Sequence, residues 1–287
     1  MKIAIMTDME GVAGVLNFKE WVFPESSMFY REGIRLLTEE VNAAIGGFFE
    51  GGATEIVVID GHGGGRGLYP ELIDERVSFA CRVGGHPWIL DKSFNGLAFV
   101  GQHAKAGTSY SHLTHTGTAA WIDFSINGIS MGEYGQLALC AMELGFPTIF
   151  ASGEEALCKE AEALTPGVVS VAVKKGTVAF DDGFPLLTAE QYETMKLGAI
   201  HLAPKRARPL IREGARQAVL KLKRHPDSFK YPSIKPPYVR MDYYRRNNER
   251  PAFRQYREHP DSIIELFNPR CKEYRCEWDQ QPTPTSK

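Results

Sequence analysis

Apolar positions along the chain fall into short β-type runs interrupted by longer helical patterns. Lys2 to Thr7 is a β-type run, and after a loop Ile34, Leu37, Val41, Ala44 and Phe48 recur at three- and four-residue steps, which predicts a helix ended by Gly51-Gly52. Thr54 to Asp60 is β-branched and apolar through its centre, as expected of a strand buried on both faces. Leu97 to Val100 predicts another strand, running into Gly101-Gln102-His103. Ile122, Phe124 and Ile126 alternate with polar residues, Asn127-Gly128 intervenes, and Ile129 and Met131 resume the alternation. Asn-Gly accepts the two positive φ angles of a tight hairpin turn, so Ile126 should pair with Ile129 and Phe124 with Met131, all four on one face. Glu133 begins a helix with Leu137, Cys140, Ala141 and Leu144 as its stripe, and Pro147 to Ala151 reads as an inner strand. Ser152 and Glu155 have capping-box spacing for the next helix, which Thr165-Pro166-Gly167 closes before a strand at Val168 to Val173. Residues 204–224 form an amphipathic helix with Ile211, Ala215, Ala218 and Leu222 inward and a basic solvent face. Strands are expected near Tyr238 to Tyr244 and Ile263 to Phe267, and a disordered tail from Gln281.

Strands alternating with crossover helices imply an α/β fold: a largely parallel central sheet flanked by helices, with a hairpin and a smaller C-terminal subdomain or arm. The division expected is 1–225 for the main domain and 226–287 for the arm and its tail. The 287 residues are 43% apolar or aromatic and 24% charged. A chain of this length buries roughly three quarters of its unfolded surface, so it needs no structural metal or disulfide for stability. Metal ligands, if present, must serve something else. The five cysteines are odd in number and scattered, which points to a reducing compartment. The apolar N-terminal run is too short for a signal peptide, and no segment approaches the ~18 to 20 apolar residues of a membrane span. A cytoplasmic address, no membrane and no nucleic-acid partner are therefore expected.

The net charge of −2 conceals an asymmetry: residues 1–150 carry 9 basic against 17 acidic groups, and residues 151–287 carry 24 against 18. An acidic first half favours cations. The two halves meeting across subunits would make assembly sensitive to salt.

Candidate chemistry sits at the predicted strand ends. Asp8 and Glu10 follow the first strand; two residues apart in extended chain, they point the same way, and a cation between them would relieve their repulsion. Alone, such a pair more often marks a solvated loop. His62 follows the second strand inside Asp60-Gly61-His62-Gly63-Gly64-Gly65-Arg66-Gly67, where glycines leave the imidazole little shielded. The loop lacks the Gly-Lys-Ser/Thr ending of a phosphate-binding P-loop. His103 ends the third strand, and ligands in open α/β sheets bind outside the carboxyl ends of the strands. Glu133, at a helix start, joins the set, although stabilising its own helix dipole would also explain it.

Asp8, Glu10, His62, His103 and Glu133 offer oxygen and imidazole ligands without thiolate, a set suited to Zn²⁺ and also to Mn²⁺ or Co²⁺. Five ligands overfill one open tetrahedral site but suit two divalent ions sharing Asp8 as a bridge. Three carboxylates and a hydroxide would then neutralise the four positive charges, an arrangement that activates water for hydrolysis. Asp60 is a candidate to orient a ligand by hydrogen bonding. His112 and His115 bring further imidazoles close in sequence, either able to act as acid or base or to hold an oxyanion. His86, His201, His225 and His259 lie near no comparable cluster, and Cys271 and Cys276 have no second pair with which to form a zinc site.

Asp8-Met9-Glu10-Gly11, Asp60-Gly61-His62, Gly101-Gln102-His103-Ala104-Lys105-Ala106, Thr114-His115-Thr116 and Gly132-Glu133 resemble, in order, the motifs of the DppA-type D-aminopeptidases, the M55 family of metallopeptidases. The similarity runs from residue 1 to about 175, and the stretch between His103 and His115 departs from the pattern. The resemblance implies a binuclear zinc centre bridged by Asp8, completed by Glu10, His62, His103 and Glu133, with His115 as the catalytic histidine. It also implies removal of an N-terminal residue, D-configured in the type enzyme, and a ring-like homo-oligomer, expected as a decamer, whose interior holds the active sites. The function expected is a metallo-aminopeptidase acting on short peptides or amino-acid amides. The alternatives are a metal-dependent hydrolase of another amide or phosphoester, or a non-catalytic metal-dependent binding protein.

Overall fold

The structure is a computed structural model that describes residues 1–23, 29–180, 183–195, 197–268 and 273–279. In chain order its elements are β1 (Lys2–Thr7), α1 (Tyr30–Gly51), β2 (Glu55–Asp60), β3 (Ser78–Cys81), β4 (Gly96–Gln102), β5 (Trp121–Ile126), β6 (Ile129–Ser130), α2 (Glu133–Leu144), β7 (Thr148–Glu154), α3 (Glu155–Leu164), β8 (Val169–Gly176), α4 (Ala189–Thr194), β9 (Ala199–His201), α5 (Pro204–Arg224), β10 (Tyr238–Tyr244), β11 (Phe253–His259), α6 (Ile263–Phe267) and β12 (Glu273–Trp278), with short 3₁₀ and π turns between them.

Seven strands form the central sheet in the order β3-β2-β1-β4-β7-β8-β9. All neighbours run parallel except β8 and β9. Alternation through the pleat sends side chains to two separate cores. Ile3 and Ile5 of β1, with Ala98 and Val100 of β4, meet α1 and α5 on one face. Ala4, Met6, Leu97 and Phe99 meet α2 and α3 on the other. That double burial explains why β1, β2 and β4 read as continuous apolar runs. Arg208 and Arg212 of α5 pair with Glu39 and Glu50 of α1, so part of the charge asymmetry is matched within the chain.

The hairpin forms with the expected register, Ile126 opposite Ile129, and Asn127 and Gly128 have φ of 50° and 78°. Met131 donates its backbone N–H to Phe124. Ile129 departs from expectation: it is exposed at the tip, while Phe124, Ile126 and Met131 are buried. The hairpin is one edge of a five-stranded antiparallel sheet, β12-β11-β10-β5-β6, whose other strands come from the C-terminal region.

Two further expectations are corrected. Ser152 does not cap a helix, because β7 continues to Glu154 and α3 begins at Glu155 with no side-chain cap. Ile263 to Phe267 is one helical turn and not a strand. Ser262 caps it by accepting from the Glu265 N–H, and Ile263, Leu266 and Phe267 are buried, a local spacing that outweighs the β-propensity of the two isoleucines. The expected tail from Gln281, and Cys271, lie outside the described residues.

Candidate metal centre

The carboxyl ends of β1, β2 and β4 lie side by side, and each carries its ligand-type residue into one place. Backbone contact holds the first and third together: the Asp8 N–H donates to Val100 and the Gly11 N–H to Gly101, at 3.0 and 2.7 Å. Gly11 makes this approach feasible, since a Cβ there would sit 2.0 Å from the Gln102 carbonyl oxygen. Gly101, at φ +74°, similarly faces the Asp8 carbonyl.

Three carboxylates and three imidazoles alternate around a closed ring. His62 Nδ1 lies 3.1 Å from Asp8 Oδ1 and 3.2 Å from Glu10 Oε2. His103 Nε2 lies 3.2 Å from Asp8 Oδ2 and 3.7 Å from Glu133 Oε1. His115 Nε2 closes the ring at 4.0 Å from both Glu10 Oε1 and Glu133 Oε1. Each Asp8 oxygen thus faces a different imidazole, the disposition a bridging carboxylate requires. His115 stacks on His103 with ring centroids 4.1 Å apart. The donor atoms of Asp8, Glu10 and His103 lie within 4.8 Å of one another, as do those of His103, His115 and Glu133.

The outward ring nitrogens determine what the inward ones can be. His62 Nε2, His103 Nδ1 and His115 Nδ1 face the carbonyls of Val22, Ala104 and Leu113 at 3.3, 2.9 and 3.1 Å. A carbonyl only accepts, so each outward nitrogen carries the proton. Each inward nitrogen is then either a lone pair, suited to a metal ion, or an N–H on an imidazolium. His103 Nε2 and Glu10 Oε2 are buried and make no hydrogen bond, although an oppositely chargeable group lies close to each. Buried polar atoms left in this way ask for a partner between them, and a divalent cation fits the donor set.

Titration reflects the same concentration of charge. Burial alone would push the Asp8 carboxyl up, but the neighbouring His103 and His62 imidazoles hold it well below the usual range. Burial would lower His62 and His103, yet the surrounding carboxylates raise both well above an ordinary histidine: Glu10 and Asp8 for His62, Asp8 and Glu133 for His103. The place attracts positive charge strongly.

A second layer fixes the ligand loops. Gln102 donates its amide to Asp8 Oδ2 at 2.9 Å, and the Met9 N–H donates to Asp8 Oδ1. Asp60 accepts from the Gly67 and Leu68 N–H groups and so closes the loop that carries His62. Glu154, at the end of β7, accepts from the Ala104 and His112 N–H groups. Glu160 accepts from the Lys105 and Gly132 N–H groups and so locks the start of α2, where Glu133 stands. Lys174, buried at the end of β8, donates to the Glu10 carbonyl, and burial lowers its ammonium to about 8. Glu40 of α1 accepts from the Ala13 N–H at 3.0 Å. Sequence reasoning passed over Glu154, Glu160, Lys174 and Glu40. A signal existed for three of them: Glu154 and Lys174 end inner strands at the ligand-bearing edge, and Glu40 lies on the apolar stripe of α1.

His112 stands apart from the ring. It is fully buried, with Nε2 3.1 Å from the Leu16 carbonyl and its ring edge-on to His201. Burial, with Lys174 and His201 nearby, keeps it neutral. His86, expected far from any cluster, instead lines a small cavity of about 60 Å³ together with Asp8, Gln102 and Glu133. A larger cavity of about 380 Å³ opens over the ring. Asp8, Glu10, His62, His115 and Glu133 line it, with Arg66 and glycines of the His62 loop.

Residues 1–183 match the family Peptidase M55, described as D-aminopeptidase. A curated relative, the D-aminopeptidase of Bacillus subtilis (strain 168), is 33% identical over 182 residues. That match takes in 61% of this chain and 64% of the relative, so just under two thirds of the relative's length is spanned. Among solved structures, the Zn-dependent D-aminopeptidase DppA from Bacillus subtilis, described as a self-compartmentalizing protease, superposes with a TM-score of 0.73 at 22% identity. The superposition covers 93% of this chain and 94% of that one. The likeness extends to the C-terminal region, where sequence similarity had not been evident.

Proposed function

The chain belongs to the M55 family of D-aminopeptidases, and on that premise we propose that it is a metal-dependent aminopeptidase releasing the N-terminal residue of short peptides or amides. The observation that carries this reading is the closed ring of Asp8, His62, Glu10, His115, Glu133 and His103 at the carboxyl edge of the sheet. We assign Asp8 as the bridge between two divalent ions, most simply Zn²⁺. Glu10, His62, His103 and Glu133 are the remaining ligands. Such a pair of ions supplies Lewis acidity and a water of lowered pKa when bound.

The protein's own groups do the rest. Asp8, with both oxygens oriented by Met9 and Gln102, keeps its carboxylate ionised and fixed. Gly117 donates to Glu133 Oε1 and holds that carboxylate towards the centre. His115 is the proton-handling group in this reading. Its Nδ1–H is committed to the Leu113 carbonyl, which leaves Nε2 turned to the cavity to take a proton and, once protonated, to stabilise a developing oxyanion. Phe18 braces its ring edge-on at 5.5 Å.

Residues 1–225 carry the chemistry in this proposal, and 226–287 are assigned as a packing arm, whose described strands β10, β11 and β12 extend the hairpin sheet. Homo-oligomeric assembly belongs to the proposal, supported by the self-compartmentalizing description of the structural neighbour. So does a cytoplasmic address, which suits the free thiols of Cys81, Cys140 and Cys158. No helix among the described residues is long and apolar enough to cross a membrane. The test is a panel of D- and L-aminoacyl p-nitroanilides and phosphoesters with Zn²⁺, Mn²⁺ or Co²⁺ supplied. Turnover of aminoacyl substrates, abolished by chelation and lowered at least about a hundredfold by His115→Ala, is expected. Activity on phosphoesters alone would overturn the reading.

A further inference from the structure

The small cavity of about 60 Å³ shares Asp8, Gly61 and Glu133 with the larger one over the ring, so it abuts the proposed metal ligands themselves. Met6, Trp88, Phe99 and Leu137 give it apolar walls. His86 also lines it, and burial lowers that imidazole to about 4, so it adds no charge at neutral pH. Glu133, Gln136 and Leu137 stand at i, i+3 and i+4 of α2 and therefore share the helix face that borders the cavity. Gln136 is only 7% exposed, and its Nε2 is buried without a hydrogen bond. A buried donor left unpaired carries a cost that a hydrogen-bonding group placed in the cavity would remove.

Resting on the aminopeptidase reading, we propose that this cavity receives the side chain of the residue being released, and that Gln136 is a specificity-determining residue selecting a small side chain with a hydroxyl, as in serine or threonine. Size follows from the volume: about 60 Å³ takes about two to four water-sized groups, enough for a hydroxymethyl group and too little for an aromatic ring. Chemistry follows from the amide. A half-turn of its terminal torsion exchanges oxygen and nitrogen, and a hydroxyl, which both donates and accepts, is matched in either setting. A methyl group fits the same space but leaves the amide unpaired. An acidic side chain would meet the carboxylates of Asp8 and Glu133.

The experiment compares seryl, alanyl and phenylalanyl p-nitroanilides, in whichever configuration is cleaved, on the zinc-loaded full chain. Wild type should favour seryl over alanyl in kcat/KM by about tenfold, equivalent to about 1.4 kcal/mol. The phenylalanyl substrate should be poorer than the alanyl one by at least about a hundredfold. In Gln136→Met, read on protein that retains its zinc, the seryl-to-alanyl ratio should fall to near one while phenylalanyl stays excluded. A wild-type ratio near one, a ratio unchanged in Gln136→Met, or ready cleavage of the phenylalanyl substrate overturns the proposal. Calorimetric dissociation constants of free serine and free alanine on wild type read the same preference without turnover and without a variant, and equal constants overturn it. If wild type cleaves none of the three substrates, the peptidase reading has failed, and the serine-to-alanine binding ratio alone decides what the cavity selects.

Discussion

Replacing Glu40 by Gln should stabilise the protein at neutral pH and have little effect on its stability in acid. Glu40 lies on the buried face of α1, with Oε1 accepting from the Ala13 N–H and Oε2 buried without a hydrogen bond. Burial pushes its carboxyl up from 4.5 to about 8, against the pull of the Ala13 hydrogen bond and of Lys174. The folded state therefore keeps a proton that the unfolded state loses. The stability this contributes is fully present below pH 4.5 and is lost as pH rises through about 8. At pH 7 the wild type has forfeited about 3 kcal/mol, at about 1.4 kcal/mol per pH unit. Gln keeps the shape and the acceptor for Ala13 but cannot ionise in the unfolded chain. Urea denaturation at half-unit intervals from pH 4 to 8.5 should give a variant-minus-wild-type difference that climbs with that slope. Any constant offset reflects exchanging a hydroxyl for an amide group. A flat difference, with Glu40→Gln less stable at pH 7 by about 3 to 5 kcal/mol, would refute the reasoning and make Glu40 an ionised partner of Lys174.

Other outcomes follow from the same geometry. Gly11→Ala places a Cβ 2.0 Å from the Gln102 carbonyl oxygen and should cost about 3 kcal/mol or more, with loss of zinc binding; wild-type melting and affinity would contradict the close approach of the two loops. Asp60→Asn weakens the clasp on Gly67 and Leu68 and should lower zinc affinity about tenfold in a chelator competition; unchanged affinity would detach this clasp from His62. His103→Ala should lower zinc affinity at least about a hundredfold, whereas His112→Ala should destabilise the core by about 2 kcal/mol or more and change affinity less than about threefold; the reverse pattern would return His112 to the centre.

The parts of the fold that were legible in the sequence are those where one face or both are buried. β1, β2 and β4 read as apolar runs because they sit between two helical layers, and Asn127-Gly128 specified its turn through positive φ alone. The meeting of the candidate residues was legible because strand ends deliver side chains to one edge, which made Asp8, His62 and His103 conspicuous. Less could be read where local and long-range preferences compete. Ser152 had the spacing of a cap, but the sheet extended β7 past it. Ile263 to Phe267 had strand-like composition, but the Ser262 cap and a buried face made it helical. The second layer was hidden for a different reason: Glu154 and Glu160 serve backbone N–H groups of loops more than 25 residues away in sequence, a relation that no spacing encodes. The placement of His112 is of the same kind, since proximity to His115 in sequence says nothing about which way a loop turns each ring.

The central claim is that groups remote in sequence form one cation-binding ring. Metal content per chain, measured by plasma mass spectrometry after zinc loading and exhaustive dialysis, tests it directly. The account predicts about two zinc ions per wild-type chain, with both lost or greatly weakened in Asp8→Asn, which removes the shared carboxylate. A wild-type protein that is folded and retains no zinc, or an Asp8→Asn variant that retains the full complement, would contradict it.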